Sequence, residues 1–409
     1  RAAPRQLVSF CTDRSRAEPH AAVFMGLLVA FVGFASSFSV VLQGLEGIGA
    51  SPAQSASGLM ALSIVMGVAG IVISAVTRMP VSIAWSTPGA ALLATAGTLP
   101  GGFAEAVGAF IVANLLIIAA GLLKPVGRAI SAIPAPLANA MLAGVLLALC
   151  FAPVEAVKFD PLLGLPIILA FVVAGAFNRL LAVPAALGAF VLVLVFGVDI
   201  PDGAWADVWR EAAPMPVWVT PVFSLQAAIS VALPLFIVTM ASQNIPGVAI
   251  LAINAYRPSA GRMFSLTGLF SLFAAPFGGH GVNLAAITAA MCAGPDAHPD
   301  PKRRYWAAII AGIGYVVFGL MSGLVVALVS LAPPILIEAV AGLALIGAFA
   351  AAALAAFKEP DAREAAAITF LVAASGVGFF GISGAFWGLA AGLAITGIKR
   401  LAQKRHAGG

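Results

Sequence analysis

From Ala21 to Ile398 the chain alternates apolar runs with short breaks rich in Gly, Pro and charge. The runs are about 16 to 25 residues long, near the length of helix that bridges a hydrocarbon core of about 30 Å. Cutting the pattern at its breakers predicts spans at 21–43, 56–77, 81–99, 103–123, 134–152, 161–177, 180–198, 221–243, 262–277, 281–294, 305–330, 335–357, 364–380 and 382–398. The expectation is an all-α polytopic membrane protein of about 14 spans. Residues 364–398 fit either two full crossings or one re-entrant hairpin around Gly381-Ile382-Ser383-Gly384, and charge does not separate the two.

Composition agrees with the pattern. Hydrophobic residues are 62% of 409 and charged residues 9%, with a mean hydropathy of +1.07, whereas soluble chains carry about 25% charge. The net charge of +5 does not indicate a nucleic-acid partner, because the basic residues lie in short connections between spans. With a cytoplasmic N-terminus, every Lys and Arg except Lys158 and Arg210 falls on the inner side, while Asp199, Asp202, Asp207 and Glu211 share the longest outer loop. The positive-inside rule therefore predicts a multi-pass protein of the inner (plasma) membrane with both termini cytoplasmic, 1–20 and 399–409 being the terminal segments. Cys11, Cys150 and Cys292 are scattered, without metal-ligand spacing, and no metal or cofactor is expected.

The two halves of the chain resemble each other at an offset of about 195 to 200 residues. The clearest match is between two interrupted segments: Pro80-Val81-Ser82-Ile83-Ala84-Trp85-Ser86-Thr87-Pro88-Gly89-Ala90-Ala91, and Pro276-Phe277-Gly278-Gly279-His280-Gly281-Val282-Asn283-Leu284-Ala285-Ala286. Each starts at Pro, passes through an extended stretch and enters an Ala-rich helical run. Seven spans is an odd number, so the second copy inserts inverted, and broken helices at matching positions of inverted repeats point to a midplane transport site. If the helical parts begin near Thr87 and Leu284, their positive N-terminal ends, with several free N–H donors, face each other and favour an anion.

Pro276-Phe277-Gly278-Gly279-His280, the run Asn283 to Ala290, Gly294-Pro295, His298-Pro299-Asp300, and Thr239-Met240-Ala241-Ser242-Gln243-Asn244-Ile245-Pro246-Gly247 resemble the benzoate:proton symporter family over essentially the whole chain. The resemblance implies uptake of benzoate or a related aromatic carboxylate with protons. It also implies the seven-plus-seven inverted-repeat fold of nucleobase permeases and of sulfate or bicarbonate transporters. In that fold 21–123 and 221–330 would form a core domain, and 124–220 and 331–398 a gate domain that often forms a homodimer. The nucleobase branch has acidic side chains in its eighth and tenth spans, where this chain has Ser242, Gln243, Asn244, His280 and Asn283. Neutral donors and an imidazole suit a carboxylate better than acids do.

The expected substrate-binding residues are Ser86, Thr87, Gly89, Gln43, Ser242, Gln243, Asn244, His280 and Asn283, with His280 and Glu338 as candidates for proton coupling. His280 is the one histidine inside a span, and its reference pKa of about 6.5 suits a proton carrier; the bland alternative is a neutral strut. Glu338 fits a gate-domain proton site or a rim residue equally. Glu46 and Glu105 read as interfacial. Thr239, Ser242 and Gln243 share a helical face by spacing, and Ser36, Ser37 and Ser39 could line the same cavity or simply pack. Trp85 and Phe277 flank the breaks and either stack on a substrate ring or face lipid or the interior. Gly381-Ile382-Ser383-Gly384 echoes intramembrane serine proteases, but span fourteen holds no base, so an enzyme is not expected. A transporter of another small anion or nucleobase, or a passive anion channel, remains the alternative. There is no P-loop for ATP-driven pumping.

Overall fold

The computed structural model describes residues 14–125, 133–201, 203–213, 215–285, 287–379 and 383–407. Helices occur at each predicted position. In the first half they are α1 (Arg14–Ala35), α2 (Phe38–Gly47), α3 (Pro52–Thr77), α4 (Thr87–Ala96), α5 (Gly102–Leu122), α6 (Ala135–Cys150), α7 (Ala152–Phe159), α8 (Pro161–Phe177) and α9 (Ala182–Gly197). The second half has α10 (Ala204–Glu211), α11 (Leu225–Ile253), α12 (Ala260–Ala274), α13 (Ile287–Ala293), α14 (Tyr305–Leu320), α15 (Ser322–Val329), α16 (Pro334–Phe357), α17 (Arg363–Ala374) and α18 (Gly384–Ala407). Strands β1 (Ile83–Trp85) and β2 (Val282–Leu284) precede α4 and α13. Among the described residues seven helices are long and apolar enough to cross a membrane, and an eighth is made by Pro301–Leu320 with α15, bent by 55°. The other predicted spans coincide with shorter helices and with the two broken segments.

Local chemistry sets the boundaries. Ser51 and Gln54 form a reciprocal capping box at the start of α3, with Pro52 in the first turn and Arg78 closing the far end in a left-handed conformation. Span one, expected at 21–43, divides at Ser36-Ser37, whose hydroxyls both turn back to the Gly33 carbonyl. Span eight was expected to stop near residue 243 but continues to Ile253, because Pro246 sits in the first turn of its last segment and needs no N–H donor there.

Packing relies on small residues. A Cβ on Gly312 would lie 2.6 Å from the Gly67 carbonyl where α3 meets α14, and one on Gly26 would lie 2.7 Å from Ala307 O where α1 meets α14. Such close backbone approach is how helices associate in lipid, where apolar burial adds little. By contrast α8 and α9 expose Leu162, Leu169, Phe177, Leu192 and Phe196, as lipid-facing helices do. A shallow apolar groove of about 300 Å³ between them, lined by Leu162, Pro166, Leu192 and Phe196, is of this lipid-facing kind.

The connection from α10 to α11 lies across one end of the bundle. Val217 N–H donates to Ser57 Oγ (2.9 Å), Val219 N–H to Pro276 O (2.8 Å) and Val222 N–H to Ala104 O (2.9 Å). Glu105, read from sequence as interfacial, is only 4% exposed: it accepts from Gly101 N–H (2.6 Å) and from the hydroxyl of Ser224, the N-cap of α11. Its carboxylate joins the starts of α5 and α11, a role that spacing did not disclose.

Candidate functional site

The two interrupted segments meet as an antiparallel ladder pairing Ile83 with Leu284, Ala84 with Asn283 and Trp85 with Val282. The ladder continues at both ends, from Ser86 N–H to Gly281 O (3.2 Å) and from Ala285 N–H to Ser82 O (3.0 Å). Extended backbone inside a bilayer needs such partners, since each unsatisfied group costs several kcal/mol. The flanks are matched too. Ser74 on α3 exchanges hydrogen bonds with the backbone of Val81 (3.1 and 3.2 Å), and Ser271 on α12 does the same with Val282 (3.1 and 2.8 Å). Each interrupted segment is thus held by a serine of the helix before it.

α4 and α13 leave the ladder from opposite ends, so both helix starts lie beside it. The second begins at Ile287, not near Leu284, because Val282–Leu284 is held in the ladder. The expectation of several free N–H donors also needs correction at α4. Ser86 caps the helix by accepting from Gly89 N–H (3.2 Å) and shares its hydroxyl with Thr239 (2.7 Å). Pro88 has no N–H. Thr87, half-buried, keeps its amide and hydroxyl without a protein partner among the described residues. Gly89 is packed tightly: a Cβ there would lie 2.5 Å from Leu235 Cδ1 and 2.6 Å from Ser86 Oγ.

α11 crosses both segments through a π-helical turn at Met240–Asn244. The widened turn changes the helical face. Thr239 reaches Ser86, and Asn244, five residues on, accepts from Leu284 N–H (3.0 Å). Ser242 turns its hydroxyl back to Val238 O (2.6 Å), and Gln243 is half-buried. Of the face expected for Thr239, Ser242 and Gln243, Thr239 reaches the ladder and Ser242 commits its hydroxyl to its own helix, so that Thr239 and Asn244 act as the clamp. Asn283, with its amide nitrogen turned toward β1, donates to Ala84 O (3.0 Å) and Trp85 O (3.2 Å), so it too holds the ladder.

His280 is 1% exposed, and its Nε2 lies 3.0 Å from Ser86 O. A carbonyl oxygen only accepts, so Nε2 carries the hydrogen and Nδ1 presents a lone pair, which has no partner. Phe110 meets the ring edge-on at 6.3 Å. Asn114, which the sequence reading missed, donates to Phe110 O (2.8 Å) and to His280 O (3.2 Å). Its signal was there: it is the only amide side chain in the run 103–123, and apart from Glu105 near the start of that run every other residue in it is apolar.

Trp85 is buried and its indole N–H donates to Ser37 Oγ (2.9 Å), which places it in the interior and level with the break in span one. From there α2 runs beside α4, Gly44 against Ala90 and Gly47 against Ala94, so Gln43 lies level with the first turn of α4. Buried Gln43 Oε1 and Ser39 Oγ, one helical turn apart, both lack a partner. Phe277 is remote from this cluster, edge-on to Trp218 at 5.6 Å. Glu338 lies on α16, which packs against α2. Its charged neighbours are Glu155 and Glu46, and Glu46, in the last turn of α2, lies about 13.5 Å along the helix axis from Ser37 and about 4.5 Å from Gln43 at 1.5 Å per residue. The structure thus gathers Gln43, Ser86, Thr87, Gly89, Asn244, His280 and Asn283 around the ladder, and Glu338 has no contact with it among the described hydrogen bonds. α6 packs against α4 and the π turn, and α16, which carries Glu338, packs against α2.

The fold and this arrangement define a polytopic helical membrane protein with paired broken segments. The transmembrane domain of a cyanobacterial bicarbonate transporter, BicA, shares the fold, with a TM-score of 0.61 and 17% identity, covering 91% of this chain and 97% of that one. A profile of the benzoate membrane transport protein family matches residues 16–398, and the chain belongs to that family of membrane transporters. It is 38% identical over 377 residues to inner membrane protein YdcO of Escherichia coli K12, covering 91% of this chain and 94% of that protein. It is 33% identical over 381 residues to the benzoate membrane transport protein of Acinetobacter baylyi, covering 91% and 93%. The family transports across membranes and is not enzymatic, and with these relatives the chain is a multi-pass inner membrane protein.

Proposed function

We propose that the protein imports benzoate, or a related small aromatic carboxylate, together with protons, by alternating access at the paired strands. The observation that carries this reading is the placement of the open amide and hydroxyl of Thr87, at a positive helix end, one residue from the Ser86 carbonyl that holds His280. The carboxylate binds at Thr87 and Gln43, and the ring lies against the apolar surface of α6 and α16. With Nε2–H committed to Ser86, a proton adds at Nδ1. At about 4 Å and an effective dielectric of about 20, a carboxylate attracts the resulting imidazolium by about 4 kcal/mol. Substrate and proton therefore favour each other's arrival. Moving one anion alone against the membrane potential costs about 2.3 kcal/mol per 100 mV, which a co-transported proton cancels.

In this reading the termini are cytoplasmic, 21–123 and 221–330 form the moving core and 124–220 and 331–398 the gate. The connection 217–222 rides on the core, and two copies pair through the gate. The test is uptake of labelled benzoate into proteoliposomes with an imposed proton gradient. The expected result is accumulation above equilibrium that a protonophore abolishes and that His280→Gln eliminates, with exchange of pre-loaded substrate retained. Equilibration without accumulation would indicate a channel, and a sodium requirement would remove proton coupling. Preference for a nucleobase or an inorganic anion in a competition panel would overturn the substrate.

A further inference from the structure

We infer that Asn114 is a positioning residue for proton coupling: it fixes the peptide that carries His280, and so the direction in which Nδ1 is presented. The inference rests on the proposed role of His280 and adds a residue from a different helix. Asn114 is 1% exposed on α5, an element that contributes nothing else to the ladder. Its amide nitrogen bridges Phe110 O, one turn back on its own helix, and His280 O. Its oxygen borders the next residue so closely that a Cβ on Gly281 would stand 2.9 Å away, at a φ of +147° that side chains rarely adopt. Gly281 O in turn receives Ser86 N–H, and Ser86 O receives the imidazole. One buried amide therefore closes a ring of contacts, from Asn114 to the His280 peptide, to Ser86, to the His280 side chain. Phe110, the residue to which Asn114 is anchored, is also the ring that meets the imidazole edge.

Nothing charged competes for this role nearby. β1, β2, α3, α4 and α11 carry no acidic, basic or imidazole side chain. On α5 the only charge is Glu105, nine residues away and bonded to Gly101 and Ser224; on α12 it is Arg262, at the opposite end from Ser271; on α13 the titratable group is the thiol of Cys292. The coupling imidazole is thus surrounded by neutral groups, and its presentation depends on hydrogen-bond geometry, which Asn114 controls.

The test compares pH profiles of benzoate uptake in proteoliposomes for the parent, Asn114→Ala, Asn114→Gln and His280→Gln, and for Asn114→Ala combined with His280→Gln. Asn114→Ala should move the midpoint of the pH dependence by about half a pH unit or more and lower the maximal rate more than it raises KM. In the His280→Gln background it should add nothing to the pH profile. Asn114→Gln keeps the amide but displaces it by one methylene, so it should fold and still shift the midpoint, which keeps the test decisive if the alanine variant is poorly produced. A parental profile in Asn114→Gln, or an equal effect of Asn114→Ala with and without His280, overturns the inference. If His280→Gln loses its pH dependence while the Asn114 variants follow the parent, this inference alone fails. If His280→Gln retains the pH dependence, the role of His280 fails and this inference with it.

Discussion

Ser86→Ala separates holding the site from binding at it. The Ser86 hydroxyl accepts from Gly89 N–H at 3.2 Å and is paired with Thr239 Oγ1 at 2.7 Å, so both of its contacts are to protein. Losing an N-cap costs about 1 kcal/mol, and losing a buried hydroxyl pair costs about 1 kcal/mol more. The sum of about 2 kcal/mol is about 30-fold in the folding equilibrium. The same change frees Gly89 N–H beside Thr87, which gives a bound carboxylate a second amide. The expected outcome is a lower thermal midpoint for detergent-purified protein, with benzoate affinity by calorimetry within about threefold of the parent, since that is under 1 kcal/mol. An affinity loss of tenfold or more with an unchanged thermal midpoint would mean that the hydroxyl touches substrate and that this hydrogen-bond assignment is wrong.

Gly89→Leu should abolish uptake at normal membrane abundance, because its Cβ alone would meet Leu235 Cδ1 at 2.5 Å and Ser86 Oγ at 2.6 Å; parental uptake would move the site elsewhere. Gln43→Leu removes an oxygen that has no partner, so thermal stability should hold or rise while substrate affinity falls about tenfold; a lower thermal midpoint with unchanged affinity would make Gln43 structural. Arg304→Ala removes bonds of 2.8 Å to His298 O and 2.7 Å to Ala293 O, the last residue of α13. At about 1.5 to 3 kcal/mol for each bond to a charged group, thermal stability should fall by several degrees; no change would show that α13 needs no anchor at that end.

The positions of the helices were legible because a bilayer admits few backbone solutions, and apolar length with Gly, Pro and charge at the breaks nearly determines where helices lie. The paired breaks were legible for a related reason, since Pro80 and Pro276 recur at one offset. The hydrogen-bond assignments within the site were not. Ser86, Asn244 and Asn283 are polar residues at membrane depth and read as ligands, yet Ser86 meets a backbone N–H of the first turn of α4, and Asn244 and Asn283 meet backbone groups of the extended segments. Composition cannot distinguish a side chain that serves substrate from one that serves a stray N–H. The π turn was equally hidden: spacing arguments assume an ordinary helix, and one wider turn brought Asn244 rather than Ser242 onto the strands.

The same physics explains why interruptions collect in one place. β1, β2, the Ser36-Ser37 break and the Met240–Asn244 turn are joined by Trp85 to Ser37, Thr239 to Ser86 and Asn244 to Leu284. Each interruption releases backbone groups from helical bonding, and placed apart each would need its own set of polar partners in lipid. Placed together they satisfy one another in large part, and the groups still unpaired at their junction are the Thr87 amide and hydroxyl and the buried side-chain atoms His280 Nδ1, Gln43 Oε1 and Ser39 Oγ. A buried polar atom without a partner costs about 1 to 3 kcal/mol, a cost that persists through selection where a ligand removes it. If the proposed function is right, the unpaired atoms at this junction are where substrate and proton bind, and the paired ones, however polar, are the frame that holds them in position.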